Sequence, residues 1–259
     1  MAIPKPRRFT AWPMALRRAG WLLAGLGFVA LVMAARHRDA QRVCSTVEIA
    51  LMEPSDLHFL DPSALRSQLG ALDADTFVGK PLVEIDLKAI ESHLNAMPHV
   101  ASAQAWLGAG GKLCVSVAQR DPVVRVMHSN GVSYYLDIHG EKLPTTTTFT
   151  ARVPVVTGIP SQDEEAMTAA LDDVLVLAAF WQGDPFLEGL VEQIHRTENG
   201  EYELVPKVGQ HIVRMGSPAE APAQLAKLLT FYRDGLCHTG WDDYRHVDLR
   251  YRDQVVAKK

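Results

Sequence analysis

Hydrophobic and polar positions divide this chain near residue 40. From Ala19 to Ala35, AGWLLAGLGFVALVMAA, seventeen consecutive residues carry no charge. As a helix rising about 1.5 Å per residue this run would span roughly 25 Å, near the short end for a bilayer core. Its flanks are basic, with Arg17 and Arg18 before it and Arg36, His37 and Arg38 after it, and Trp12 and Trp21 fall where interfacial aromatics usually lie. A buried core helix seldom lacks a polar residue over such a length. The run is therefore either a retained membrane anchor or the apolar part of a signal peptide, for which Val32-Met33-Ala34 offers a poor cleavage site. Its length, and the two arginines that would directly follow the cut, favour the anchor.

Beyond residue 42 the periodicities are those of folded protein. Val43, Ser45, Val47, Ile49 and Leu51 alternate with Cys44, Thr46, Glu48 and Ala50, which predicts a half-buried strand. Asp61 followed by Pro62 predicts a capped helix start, with an end near Gly70. Asp86 opens a second helix in which Leu87, Ile90, Leu94 and Met97 share one face, and Pro98 stops it. Strands over 100–107 and 112–118 follow, joined by Gly108-Ala109-Gly110-Gly111, a hairpin connection. The order is β-α-α-β-β.

The remainder reads as β-rich with two helices. Strands are expected over 123–127 and 132–136 around Asn130-Gly131, then over 153–156, 190–196, 202–205 and 211–215. One amphipathic helix covers 164–181, and another opens at the capping box Ser217-Pro218-Ala219-Glu220 and runs through Arg233. Tyr244 to Val256 reads as one long final strand with Val247, Leu249 and Tyr251 on one face. A last strand has an unpaired side that can capture a partner strand through its backbone groups. Tyr244, Leu249, Arg250, Tyr251, Arg252, Gln254 and Val255 are the candidate partner-binding residues, with the arginines suited to an acidic partner.

Charge orients the molecule. The chain carries −4 overall, residues 1–18 carry +5 and 36–42 carry +2, which leaves −11 for 43–259. The positive-inside rule puts the N-terminus in the cytoplasm and the rest outside. So acidic an ectodomain has no evident affinity, taken as a whole, for nucleic acid or anionic lipid. Three cysteines, Cys44, Cys114 and Cys237, make no disulfide framework, although Cys44 and Cys114 could pair if their strands are neighbours. The segment GAGGK lacks phosphate-loop spacing and is followed by a strand. No His-Glu-x-x-His, His-x-x-Glu-His or Gly-x-Ser-x-Gly pattern occurs among the ten histidines and the serines. His93 and His99 read as solvated surface. Catalytic residues, cofactor and metal are accordingly all assigned as none, with no small-molecule substrate.

Several stretches together resemble the FtsQ/DivIB family of bitopic cell-division proteins. Ile85-Asp86-Leu87 with Ile90-Glu91, Leu94, Pro98 and Val100 resembles the second helix of the family's polypeptide-transport-associated (POTRA) domain running into its strand. Leu113-Cys114-Val115-Ser116-Val117 with Gln119-Arg120-Asp121-Pro122-Val123 is similar to the strand that crosses into its β domain. Tyr134-Tyr135-Leu136-Asp137 with Gly140 and Pro144 resembles its next hairpin, and Asp248-Leu249-Arg250-Tyr251 with Gln254-Val255-Val256 its closing strand. The resemblance implies an α+β ectodomain behind one transmembrane helix. Its parts would be a cytoplasmic tail (1–18), a transmembrane helix (19–35), a linker (36–42), a POTRA domain (43–118) and a β domain (119–259). It also implies a non-enzymatic divisome scaffold in the bacterial inner membrane, periplasmic beyond the helix and at midcell in dividing cells. Such a scaffold holds FtsB and FtsL so that septal peptidoglycan synthesis is controlled, with the FtsB contact in the region of the last strand. Two other classes remain open on the residues: an anchored or secreted envelope hydrolase, and a POTRA-type protein-translocation component.

Overall fold

The computed structural model of the chain describes residues 14–40, 42–52, 58–72, 77–182 and 184–259. It begins with a helix, α1 (Met14–Ala40). Of the basic tail expected over 1–18, residues 1–13, with Trp12, lie outside the described residues, and 14–18 are already helical. The helix also continues beyond Ala35 into the expected linker. From Gly20 to Met33, about 21 Å of helix, every side chain is exposed. Among the described residues no helix is long and apolar enough to cross a membrane.

A small α/β unit follows: β1 (Thr46–Leu51), α2 (Pro62–Leu72), α3 (Leu87–Asn95), β2 (Val100–Gly108) and β3 (Lys112–Gln119). Its sheet has the order β1-β3-β2, with β1 parallel and β2 antiparallel to β3. The Asp86 carboxylate accepts from the Ala89 amide and so satisfies a donor left free at the start of α3. Helical spacing then carries Ile90 and Leu94 into a core with Leu65 and Leu69 of α2 and Val100, Leu113, Val115 and Val117 of the sheet.

The first strand differs from its alternation. Cys44, expected outward, is 1 % exposed, whereas Val43, expected inward, is 49 % exposed. Val43 bridges to Pro81, and the Cys44 amide and carbonyl bond to Lys80 and Gly79, so the regular pleat starts only at Thr46. Cys44 and Cys114 are free thiols. Their strands are neighbours, yet the residue opposite Cys114 is Glu48, four positions along from Cys44.

The second unit is a nine-stranded mixed sheet: β4 (Pro122–Met127), β5 (Ser133–Asp137), β6 (Lys142–Pro144), β7 (Val155–Thr157), β8 (Val191–Arg196), β9 (Tyr202–Pro206), β10 (Ile212–Met215), β11 (His246–Asp248) and β12 (Val256–Lys258). Its order is β12-β11-β10-β9-β8-β7-β4-β5-β6. Helix α4 (Glu164–Trp181) lies where its periodicity puts it, capped by Asp163. A third, short helix, α5 (Pro185–Leu190), was not legible as one; it is set by the Asp184 cap and Pro185. Helix α6 (Ala221–Thr230) passes into π-helical turns at Phe231–Leu236. Val174 and Leu177 of α4 and Leu228 of α6 bury against Val126, Ile194, Val213 and Val247 of the sheet.

The two sheets meet in an aromatic joint. Phe59 stacks on His99 at 5.0 Å and meets Tyr135 and Phe149 edge-on at 5.5 and 4.8 Å. His99 Nε2 lies 2.9 Å from the Pro144 carbonyl of β6, and Arg120 pairs with Asp137 at 2.9 Å. His99 is therefore buried between the units rather than solvated, and this burial lowers its pKa from the ordinary imidazole value. His211 is likewise buried, 2.7 Å from the Tyr232 hydroxyl.

Candidate partner-binding site

The expected strand over 244–256 is two short strands joined by a loop over 249–255. β11 runs parallel to β10 over three residues, and β12 returns antiparallel on its far side. Asp253 makes the reversal in left-handed conformation at φ 55°, a region that aspartate tolerates better than most side chains. Sequence alternation cannot show such a break, because Leu249-Arg250-Tyr251 continues the apolar–polar rhythm of β11 while the backbone is already turning.

This changes what each candidate side chain does. Leu249 is 0 % exposed and belongs to the core, so it is withdrawn as a contact residue. Tyr244 is half-buried and sits edge-on to Phe231 at 5.9 Å. Arg250 forms a bidentate pair with Asp248 (3.0 and 2.7 Å) and reaches Glu201 at 2.9 Å. Those bonds hold the Asp248 carboxyl below the usual carboxylate range. Tyr251 is 49 % exposed, and Arg252 and Gln254 are exposed as well. Val255 is partly buried against the core.

A residue outside the expected set anchors the turn. Lys227 on α6 donates to the carbonyls of Leu249 (2.7 Å) and Tyr251 (2.6 Å) and so ties the turn to the helix. Gln224, one helical turn earlier, donates to Glu220 while its buried side-chain oxygen has no hydrogen-bond partner. The helical spacing of Glu220, Gln224 and Lys227 was visible in the sequence, but nothing there linked it to 249–251. Between α6 and the turn lies a groove of about 580 Å³ lined by Phe231, Gly235, Gln254 and Val255 among others.

The outer edge of β12 has no strand paired to it among the described residues. Ile212 donates to the Arg245 carbonyl and Leu249 to the Arg214 carbonyl, so odd-numbered residues of β11 face β10. His246 and Asp248 then face β12, opposite Lys258 and Val256. By alternation the amide and carbonyl of Ala257 point outward. Each of the other sheet edges carries at least one contact from the chain itself. Asn95 and Glu91 accept the outward amides of Ala103 and Ala105 on β2, Arg66 donates to Val47 on β1, and Pro144 of β6 faces His99 and has no amide hydrogen. Among the described residues no cluster of three or more His, Cys, Asp or Glu could hold a metal ion.

Comparison with known proteins gives three matches. A family model described as "FtsQ/DivIB, C-terminal related" matches residues 121–258. A POTRA-like domain model matches residues 42–118. A curated relative, the Cell division protein FtsQ of Rhodothermus marinus, is 28 % identical over 211 residues, which cover 77 % of this chain and 73 % of the relative.

Proposed function

The chain belongs to the FtsQ/DivIB family, and from that premise we propose that it is a non-enzymatic divisome scaffold that holds FtsB and FtsL through the β12 edge. The observation that carries the reading is the open edge of β12, set beside three edges at which the chain's own side chains or a proline make contact. A free edge offers backbone donors and acceptors in strand register, while pockets beside it read alternate side chains. Tyr251, Arg252, Gln254 and Val255 flank it and supply such reading. Arg250 does so only by sharing its guanidinium with Asp248 and Glu201.

The proposed topology has residues 1–18 in the cytoplasm, 19–35 in the inner membrane, and a POTRA domain (43–118) and β domain (119–259) in the periplasm. The all-round apolar exposure of α1 over 20–33 supports the anchor, because a helix apolar on every face has to be covered by something. The +5 tail supports the orientation. A fluorescently tagged full chain in dividing cells tests the role. It is expected to collect at midcell; an even distribution around the envelope, or release to the medium, would contradict it.

A further inference from the structure

Several exposed apolar side chains converge on the end of the small unit nearest α1. Helix α1 ends at Ala40, so Arg42 lies within about 8 Å of it along the chain. Leu82 donates to the Arg42 carbonyl (2.9 Å), Cys44 to Lys80 (2.8 Å) and Ser45 to Gly111 in the β2–β3 turn (2.8 Å). The chain leaving α1 is thereby bonded to two separate loops. Val83 is 69 % exposed, Val78 51 %, Val43 49 % and Leu107 38 %, and they come from three segments that these bonds hold at one end. One exposed valine needs no explanation, but four gathered at one pole call for a covering surface.

We propose that this pole is seated in the phospholipid interface, with Val78, Val83 and Leu107 entering the headgroup region of the bilayer. The proposal rests on α1 being a retained anchor. Lipid is the occupant because the end of α1 beyond the proposed span, 36–40, adds only about 8 Å and a single residue separates it from Arg42, which keeps the pole near the depth of the headgroup layer. Composition agrees. Arg42, Lys80 and Lys112 stand among the apolar groups together with Glu48 and Glu84, Lys112 pairing with Glu48, and long basic side chains beside short apolar ones suit a headgroup layer. Trp106, beside Leu107 and 47 % exposed, takes the place of an interfacial aromatic. The turn packs directly on residue 43: Gly111 has φ +80°, and a Cβ there would meet the Val43 carbonyl at 2.5 Å.

The test uses the full chain in nanodiscs of phosphatidylethanolamine and phosphatidylglycerol. Cys44, Cys114 and Cys237 are replaced by alanine in a background that keeps the parent melting temperature. A nitrobenzoxadiazole label is placed in turn at Val83→Cys, at Val29→Cys in α1 and at Val208→Cys, an exposed position on the large sheet unit. The label at 83 is expected to shift to the blue and lose most of its emission to nitroxide-bearing lipid, as at 29, while 208 reports water. Quenching at 29 with a water-like signal at 83 overturns the proposal and leaves the anchor standing. No quenching at 29 overturns the anchor and the proposal with it. A blue shift at 83 without lipid quenching means that protein, such as a second copy, covers the pole, and also overturns it.

Discussion

Ala257→Pro is expected to abolish capture of FtsB and FtsL in pull-downs while the melting temperature stays within about 2–4 °C, the shift that corresponds to roughly 1 kcal/mol in a protein of this size. The outward amide of Ala257 makes no bond within the sheet, so proline removes a donor the fold does not use. A partner strand loses that bond, worth about 1 kcal/mol net, and meets the pyrrolidine ring in addition. Together these weaken binding by more than about tenfold. Arg250→Pro would be a poorer probe, because it removes the Arg250 amide bond to Asp248 and the guanidinium network that sets the turn. Recovery of both partners by the Ala257→Pro protein would move the contact away from β12.

Leu94→Ala is expected to destabilise the small unit by about 2–5 kcal/mol, the range for emptying a well-packed core site. Leu94 is fully buried on α3 against Val100, Leu113 and the α2 leucines. The unit has only a three-stranded sheet and two helices to bury, so this is a large share of its stability. Thermal unfolding followed by circular dichroism should show the loss. An unchanged transition would mean that the α3 face does not carry the core.

The elements with strong local chemistry were legible. Asp86 and Asp163 cap helices whose apolar faces follow a 3.6-residue period, and α3 and α4 lie where those signals put them. Glycines 110 and 111 turn the β2–β3 hairpin as the segment suggested. Failures came where tertiary bonds override a local period. Val43 and Cys44 exchange faces because Pro81 and Lys80 bond to them before the pleat is established. His99 looked polar and terminal, but Phe59, forty positions earlier, covers it. The geometry of the candidate region was not legible. Leu249 alternates correctly yet faces inward, Arg250 is engaged by Glu201 from a distant hairpin, and Lys227 ties the turn from another helix. Contacts between residues that far apart in the chain leave no trace in a single sequence.

Hydrogen exchange at the Ala257 amide, in the full chain with and without the FtsB and FtsL ectodomains, tests strand capture at β12 most directly. A captured strand places an acceptor on that outward amide, so its exchange should slow by at least about fivefold on complex formation, in line with one hydrogen bond of about 1 kcal/mol. Unchanged exchange at Ala257, together with new protection on the α6 face or in the small unit, would contradict it.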